Sequence, residues 1–355
     1  MILSDLKMIL REDDLKKKYI LGISRWKQPK LKPFFPNNEL VFLNSIDGLE
    51  EITVWGNQKL EDIKIERIED GFIRSVSLGV DFSQPYSLII DKRGLYFDAT
   101  KESDLEYILL NYSFDRVLLK RAEKVRHYLV DNRLSKYNIF NDKQVLLDKK
   151  NINQKTILVV GQVEGDASLI YGANSMKNLE LLKATKVDNQ KAYIVYKPHP
   201  DVLKGSREGN IEDSLALKYC NQIEKKVSID SLLDIVDEVH TITSLVGFEA
   251  LLREKKVICY GMPFYAGWGL TIDKKKCVRR DRKLTLNELI AGVYILYPKY
   301  IDPISLEICE VERVLEVLSI EKERYHSSML YREKTKLKNF IYKKYYAILR
   351  HLLKD

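Results

Sequence analysis

The chain has 355 residues, 45% of them hydrophobic and 31% charged, and a formal net charge of +8. This length suits two domains of ordinary size, and no apolar run approaches what a bilayer span needs. Six of the eight excess charges fall in residues 321–355, where ten Lys/Arg face four Asp/Glu, so the basicity belongs to a tail and excludes a nucleic-acid groove.

The opening MILSDLKMILREDDLKKK alternates acids and bases and does not read as a secretory signal. In the first half, KYILGIS, LVFLNS, EITVWG, IKIERIEDG and YSLIIDKRGLYFDA read as strands with short connections. SDLEYILLNYSFDRVLLKRAEKVRHYLV reads as helix, with Ser103 as its N-cap. LSKYNIFNDKQVLLDKKNINQ is polar and irregular, as an inter-domain linker would be. A second series follows: TILVVGQ, a helix from about Asn174, AYIVYKPHP, VSI, EVHTIT, a helix on SLVGFEALLREK, then KVICYG. Strand and helix alternating at this spacing imply a parallel, doubly wound α/β sheet. The expected domains are 1–150, 151–320 and a basic helical tail over 321–355. Cys220, Cys259, Cys277 and Cys309 lack CxxC spacing, which argues for reduced cytoplasmic thiols and against zinc or disulfides.

Polar residues gather where these strands end. Gly22, Ser24, Trp26 and Lys27 follow the first strand. Glu69 and Asp70 close the fourth, ahead of Gly71. Adjacent carboxylates are usually a solvated turn, but in a cleft their repulsion and desolvation raise one pKa enough for proton transfer. GQVEGDAS places Gln162, Glu164, Asp166 and Ser168 after a strand. KPHP supplies Lys197 and His199, with prolines stiffening the backbone on both sides of the imidazole. A rigid histidine at a strand's carboxyl end sits where open α/β sheets bind ligands, or it caps a neighbouring loop. Thr243 and Ser244 precede an apolar helix, where Ser244 is a phosphate contact or a plain N-cap. YGMPFYAGWGLTID is either a loop flanking a ring or an ordinary packed loop. There is no GxGxxG, no P-loop and no metal-binding cluster.

Together these motifs resemble the KpsC-type capsule polysaccharide proteins, retaining β-Kdo glycosyltransferases. The resemblance covers nearly all of 21–318 and rests on GISRWK, EDGFIRSVSLG, YSLIIDKRGLYFDATKESDLE, GQVEGDAS, YKPHPDV, TSLVGFEALL, YGMPFYAGWGLT, RRDRKLTLNEL and YILYPKYIDP. KpsC joins two such modules, whereas this chain has one.

The resemblance implies a GT-B fold of two Rossmann-like domains facing a cleft, an acceptor-side domain first and a CMP-sugar domain second. It implies CMP-β-Kdo as donor, held by His199 and Ser244 with Lys197, Thr243 and Gln162 beside them, and needs neither metal nor separate cofactor. Asp166 matches the nucleophile and Glu69 the acid/base residue. Asp70, Ser168, Trp26 and Lys27 are expected near the sugars. Arg74, Arg279 and Arg280, with Lys197, are candidates to pair with the Kdo carboxylate. The acceptor is an oligosaccharide or glycolipid, and other capsule biosynthesis proteins are expected partners. The location is cytoplasmic, with the tail either on the inner-membrane surface or packed on the domains. Two rivals remain open at this point: a CMP-sialic-acid-type sialyltransferase, and a non-catalytic saccharide-binding component of capsule assembly or export.

Overall fold

A computed structural model describes residues 15–46, 48–76, 83–136, 138, 146–147, 153–205 and 207–352, without the side chains of 343 and 347–352. The opening 14 residues, most of the expected linker and the end of the EDGFIRSVSLG motif lie outside the described residues.

Thr156–Val160 (β6) and Tyr193–Lys197 (β7) are buried along their whole length, as strands of a parallel sheet covered on both faces must be. With Gln222–Ile223 (β8), Glu238–Thr241 (β9), Lys256–Cys259 (β10) and Ile272–Asp273 (β11) they form a six-stranded sheet ordered β11-β10-β9-β6-β7-β8. Every pairing in it is parallel. The strand order reverses between β6 and β9, the switch point at which open α/β sheets bind ligands. Ile157, Val159, Ile194 and Ile258 meet Leu169, Leu181 and Leu182 in the core on one face of this sheet.

A second sheet is ordered β13-β12-β5-β4-β3-β1-β2. It is built from Lys16–Leu21 (β1), Asn38–Leu43 (β2), Glu51–Trp55 (β3), Lys64–Asp70 (β4), Ser87–Asp91 (β5), Pro298–Ile301 (β12) and Ile308–Cys309 (β13). β2, β1, β3 and β4 run parallel, and β5, β12 and β13 continue the sheet antiparallel. Ile20, Phe34, Ile68, Leu88 and Ile301 pack together within it.

The chain divides into two compact units, 1–95 with 136–139 and 297–355, and 96–135 with 140–296. This grouping departs from the linear segments 1–150, 151–320 and 321–355. Helices Asp104–Asn111 and Arg116–Asp131 belong with the second unit, where Leu109 packs so close to Gly292 that a Cβ there would need it to shift. Residues after 297 return to the first unit because β12 pairs with β5.

Two local expectations change. The helix placed from about Asn174 is two helices, Ala167–Ala173 and Asn178–Asp188, separated by Asn174 and Ser175 in the left-handed region (φ 53° and 58°). VSI is no strand; Ser228 accepts a hydrogen bond from Ser231 N and caps helix Ile229–Ile235. Ser103 caps its helix as expected, accepting from Glu106 N at 3.1 Å. The basic segment is a helix, Met329–Leu352, preceded by Val311–Ser327.

Candidate functional site

In the parallel sheet, β9, β6 and β7 are neighbours, so the residues after each fall on one edge. Gln162 follows β6 and spans the switch point. Its Nε2 donates to Thr243 Oγ1 at 3.0 Å and its Oε1 accepts from Thr243 N at 2.8 Å. Asn178 pins its backbone in turn, accepting from Gln162 N (2.8 Å) and donating to Gln162 O (2.7 Å). The Gln162 amide is thus committed to the scaffold, and it locks the β6 and β9 loops together. Ser244 caps helix Leu245–Leu252, accepting from Val246 N at 3.3 Å. Its carbonyl accepts from the Tyr265 hydroxyl. Gly247 is required there, because a Cβ would collide with that hydroxyl.

Asp166 takes the N-cap position of helix Ala167–Ala173, yet its carboxylate makes no capping bond and is exposed. A cap carboxylate left unused at a helix start is available for chemistry. Ser168 lies half-buried two residues further on. After β7, His199 accepts a hydrogen bond at Nδ1 from Asp201 N at 3.1 Å. Burial lowers its pKa, opposed by the charges of Asp201 and Asp166. The ring is therefore neutral near pH 7 with its proton on Nε2, a donor close enough to Asp166 to feel its charge. Lys197 is only 8% exposed, and desolvation pushes its ammonium down to about 8 against the weak pull of Glu224. No acceptor meets its Nζ among the described residues.

In the other unit, β4, β3 and β1 are likewise neighbours running in parallel, and they bring Glu69, Asp70, Trp55 and the Trp26–Lys27 turn to one edge. Asp70 Oδ2 lies 2.9 Å from Arg74 Nε and 3.8 Å from Lys27 Nζ. Burial alone would raise the Asp70 pKa, but Arg74, Lys27 and Lys136 outweigh it and hold this carboxyl below its ordinary value. Glu69 moves the other way, raised by burial and then by the neighbouring Asp70 charge. Its Oε1 accepts from Asp70 N at 2.9 Å. The two carboxyls are thus split: Asp70 is held as the anion, and Glu69 is the one of the pair that more readily keeps a proton. Asp70 Oδ1 is buried with no hydrogen-bond partner among the described residues. Lys27 Nζ sits 3.6 Å from the centre of the Trp55 ring. Gly71 follows because Ser87 occupies the space of a Cβ.

The three arginines are used internally. Arg74 is fully buried; besides Asp70 it donates to Ser83 Oγ at 2.6 Å. Arg279 and Arg280 share the buried Glu106, at 2.6 and 2.9 Å. Arg280 also donates to the carbonyls of Pro263 and Ala266 and lies 5.5 Å from the Trp268 ring. Each guanidinium thus already has acceptors within the protein, while the Arg279 side chain stays a third exposed. The YGMPFYAGWGLTID stretch is an ordinary packed loop, with Tyr265, Ala266 and Trp268 wholly buried. Sequence reasoning passed over Trp55, Asn178 and Glu106. Trp55 was findable at the end of a strand; nothing local marks the other two.

A family model described as capsule polysaccharide biosynthesis protein matches residues 57–300. The chain belongs to that family. Two of its relatives are capsule polysaccharide modification proteins LipA of Neisseria meningitidis, 42% and 43% identical over 323 residues, 86% of this chain and 46% of each relative. The lipopolysaccharide-processing protein LpsZ of Rhizobium meliloti is 40% identical over 279 residues, 78% of this chain and 63% of that protein. The chain therefore spans about half the length of the LipA proteins it matches. Among solved structures, the Thermosulfurimonas dismutans KpsC β-Kdo 2,7-transferase is 38% identical with a TM-score of 0.73, covering 86% of this chain and all of that one. The β-Kdo 2,4-transferase of the same organism is 33% identical with the same TM-score, over 84% and 97%. The capsule family and its KpsC-like fold thus agree with the motifs read from the sequence.

Proposed function

We propose that this family member is a retaining β-Kdo glycosyltransferase of the GT-B type, moving Kdo from CMP-β-Kdo to a saccharide acceptor in capsular polysaccharide synthesis. The observation that carries this reading is the uncapped Asp166 carboxylate beside the neutral His199, at the ligand-binding edge of a sheet whose solved counterparts are Kdo transferases.

In the first displacement Asp166 attacks the anomeric carbon of Kdo. The bond from that carbon to the phosphate oxygen breaks, CMP departs with the electron pair, and a Kdo–Asp166 ester forms with inverted configuration. His199 Nε2–H donates to the phosphate as charge builds there. Lys197 supplies a cation to the donor's anionic groups, and the N–H groups after Ser244 offer further donors. In the second displacement an acceptor hydroxyl attacks the same carbon and gives its proton to Glu69. Asp166 is released, and the second inversion restores the β configuration. Asp70, held ionised by Arg74, keeps Glu69 basic enough for that transfer. Trp26 and Lys27 provide an aromatic and cationic surface for an acidic saccharide. No metal has a part in this scheme.

The test uses CMP-Kdo generated in situ with capsule oligosaccharide acceptors, and CMP-sialic acid in parallel. CMP should be released from the Kdo donor alone. Without acceptor, intact-protein mass spectrometry should show one added Kdo on the wild type and none on Asp166→Ala, whose turnover should drop by several orders of magnitude. Near-normal turnover by Asp166→Ala would remove it as nucleophile. Release from the sialic-acid donor alone would overturn the substrate.

A further inference from the structure

Helix Met329–Leu352 carries seven Lys/Arg and a single acid, Glu333. Its apolar side chains are not spent on a core. Met329 and Leu330 are 72% and 82% exposed, and Leu337, Phe340, Ile341 and Tyr345 are between 54% and 59% exposed. Leu330, Leu337 and Ile341 recur at intervals of seven and four, which sets them on one face of the helix. Phe340 and Tyr345 flank that face. Lys334, Lys336, Lys338 and Lys344 are also exposed, and Lys338 and Lys344 lie 6.0 and 5.7 Å from the rings of Tyr342 and Phe340. The preceding helix behaves differently. Val311–Ser327 buries Val311, Val314, Leu315, Val317 and Leu318, so the fold docks one helix by its apolar face and leaves the next with its own uncovered.

We propose that Met329–Leu352 is a membrane-surface helix that lies on an anionic bilayer, with its apolar face among the acyl chains and its lysines against lipid phosphates. Charge decides between occupants. A second copy docking by the same face would bring two strongly cationic helices together, which repel, whereas an anionic leaflet attracts every one of those lysines. Length and composition agree, since no described helix is apolar enough to cross a membrane and this one is suited to lying in the interface plane. The proposal does not depend on the transferase reading, because flotation reports binding without turnover.

The experiment is flotation of the full chain with vesicles of phosphatidylglycerol and phosphatidylcholine, against vesicles of phosphatidylcholine alone, at low and high salt. The chain should rise with the anionic vesicles at low salt, stay behind with the neutral ones, and be released by high salt. Inorganic phosphate at matched ionic strength should not compete more than chloride does. The Lys334→Gln, Lys336→Gln, Lys338→Gln, Lys344→Gln variant should bind anionic vesicles several hundredfold more weakly, at roughly fivefold per lysine. Its thermal midpoint should stay unchanged, because these side chains are exposed. Where a variant fails to fold, the wild-type salt and lipid dependence decides alone. A full chain that ignores anionic vesicles at low salt overturns the proposal. So does one that binds neutral vesicles equally, or one that forms a dimer which Leu337→Ser with Ile341→Ser dissolves.

Discussion

Replacing Lys197 by methionine should make the protein more stable and less able to hold its donor. Lys197 is 8% exposed at the end of β7, and burial moves its ammonium from the ordinary 10.5 to about 8. At about 1.4 kcal/mol for each tenfold change in proton affinity, keeping this charge in the folded chain costs on the order of 3 kcal/mol. Because the folded pKa is the lower one, the penalty is complete below about pH 8. It fades as pH rises from there towards 10.5 and is absent above. Methionine fills nearly the same volume without the charge, so Lys197→Met should melt several degrees above wild type at pH 7, at roughly 2–4 °C per kcal/mol. The gap should narrow by pH 10. Calorimetric titration of the same variant should show CMP-sugar affinity reduced at least tenfold, since a charge-assisted contact is worth about 1.5–3 kcal/mol. Thermal scans at the two pH values, with titrations at pH 7, test both halves. A variant less stable than wild type at pH 7 would refute the argument, because it would mean that Lys197 is held by a partner and is not strained.

Glu69→Gln should keep donor binding and abolish transfer. Wild-type turnover should fall on acidification at a pH above the usual glutamate range, because Glu69 must be ionised to accept a proton and its pKa is raised by burial and Asp70. An inactive Asp70→Asn beside an active Glu69→Gln would reverse the two roles. His199→Ala should weaken CMP binding ten- to a hundredfold by calorimetry, through one lost bond to phosphate; unchanged affinity would remove His199 from the nucleotide site.

Much of this was legible before any coordinates. β6 and β7 announce themselves as unbroken apolar runs because both their faces are covered, and the residues just after such strands must lie on the ligand edge. That logic places Asp166, His199, Thr243 and Ser244 on that edge without tertiary knowledge. It cannot tell which polar atoms are already used. Gln162 reads like a ligand contact by position, yet its amide faces Thr243 across the switch point, a partner 81 residues away in sequence. Arg74, Arg279 and Arg280 read as free cations for the same reason: a guanidinium's acceptors come from packing. Likewise, the charge pattern of 329–352 shows an amphipathic helix, but only the structure shows the apolar side chains left uncovered.

The buried cluster of Glu106 with Arg279 and Arg280 has a consequence for how this family can change. One carboxylate answers two cations, so losing Glu106 alone would leave the buried Arg280 with carbonyl acceptors but no counter-charge and take from Arg279 its carboxylate partner, a cost of several kcal/mol. Losing either arginine leaves the other pairing intact, whereas an apolar trio of matching volume would restore the balance without any charge. Substitution should therefore have an order: an arginine goes first and Glu106 last. Across related chains, Glu106 absent while both arginines persist is the combination that should be missing.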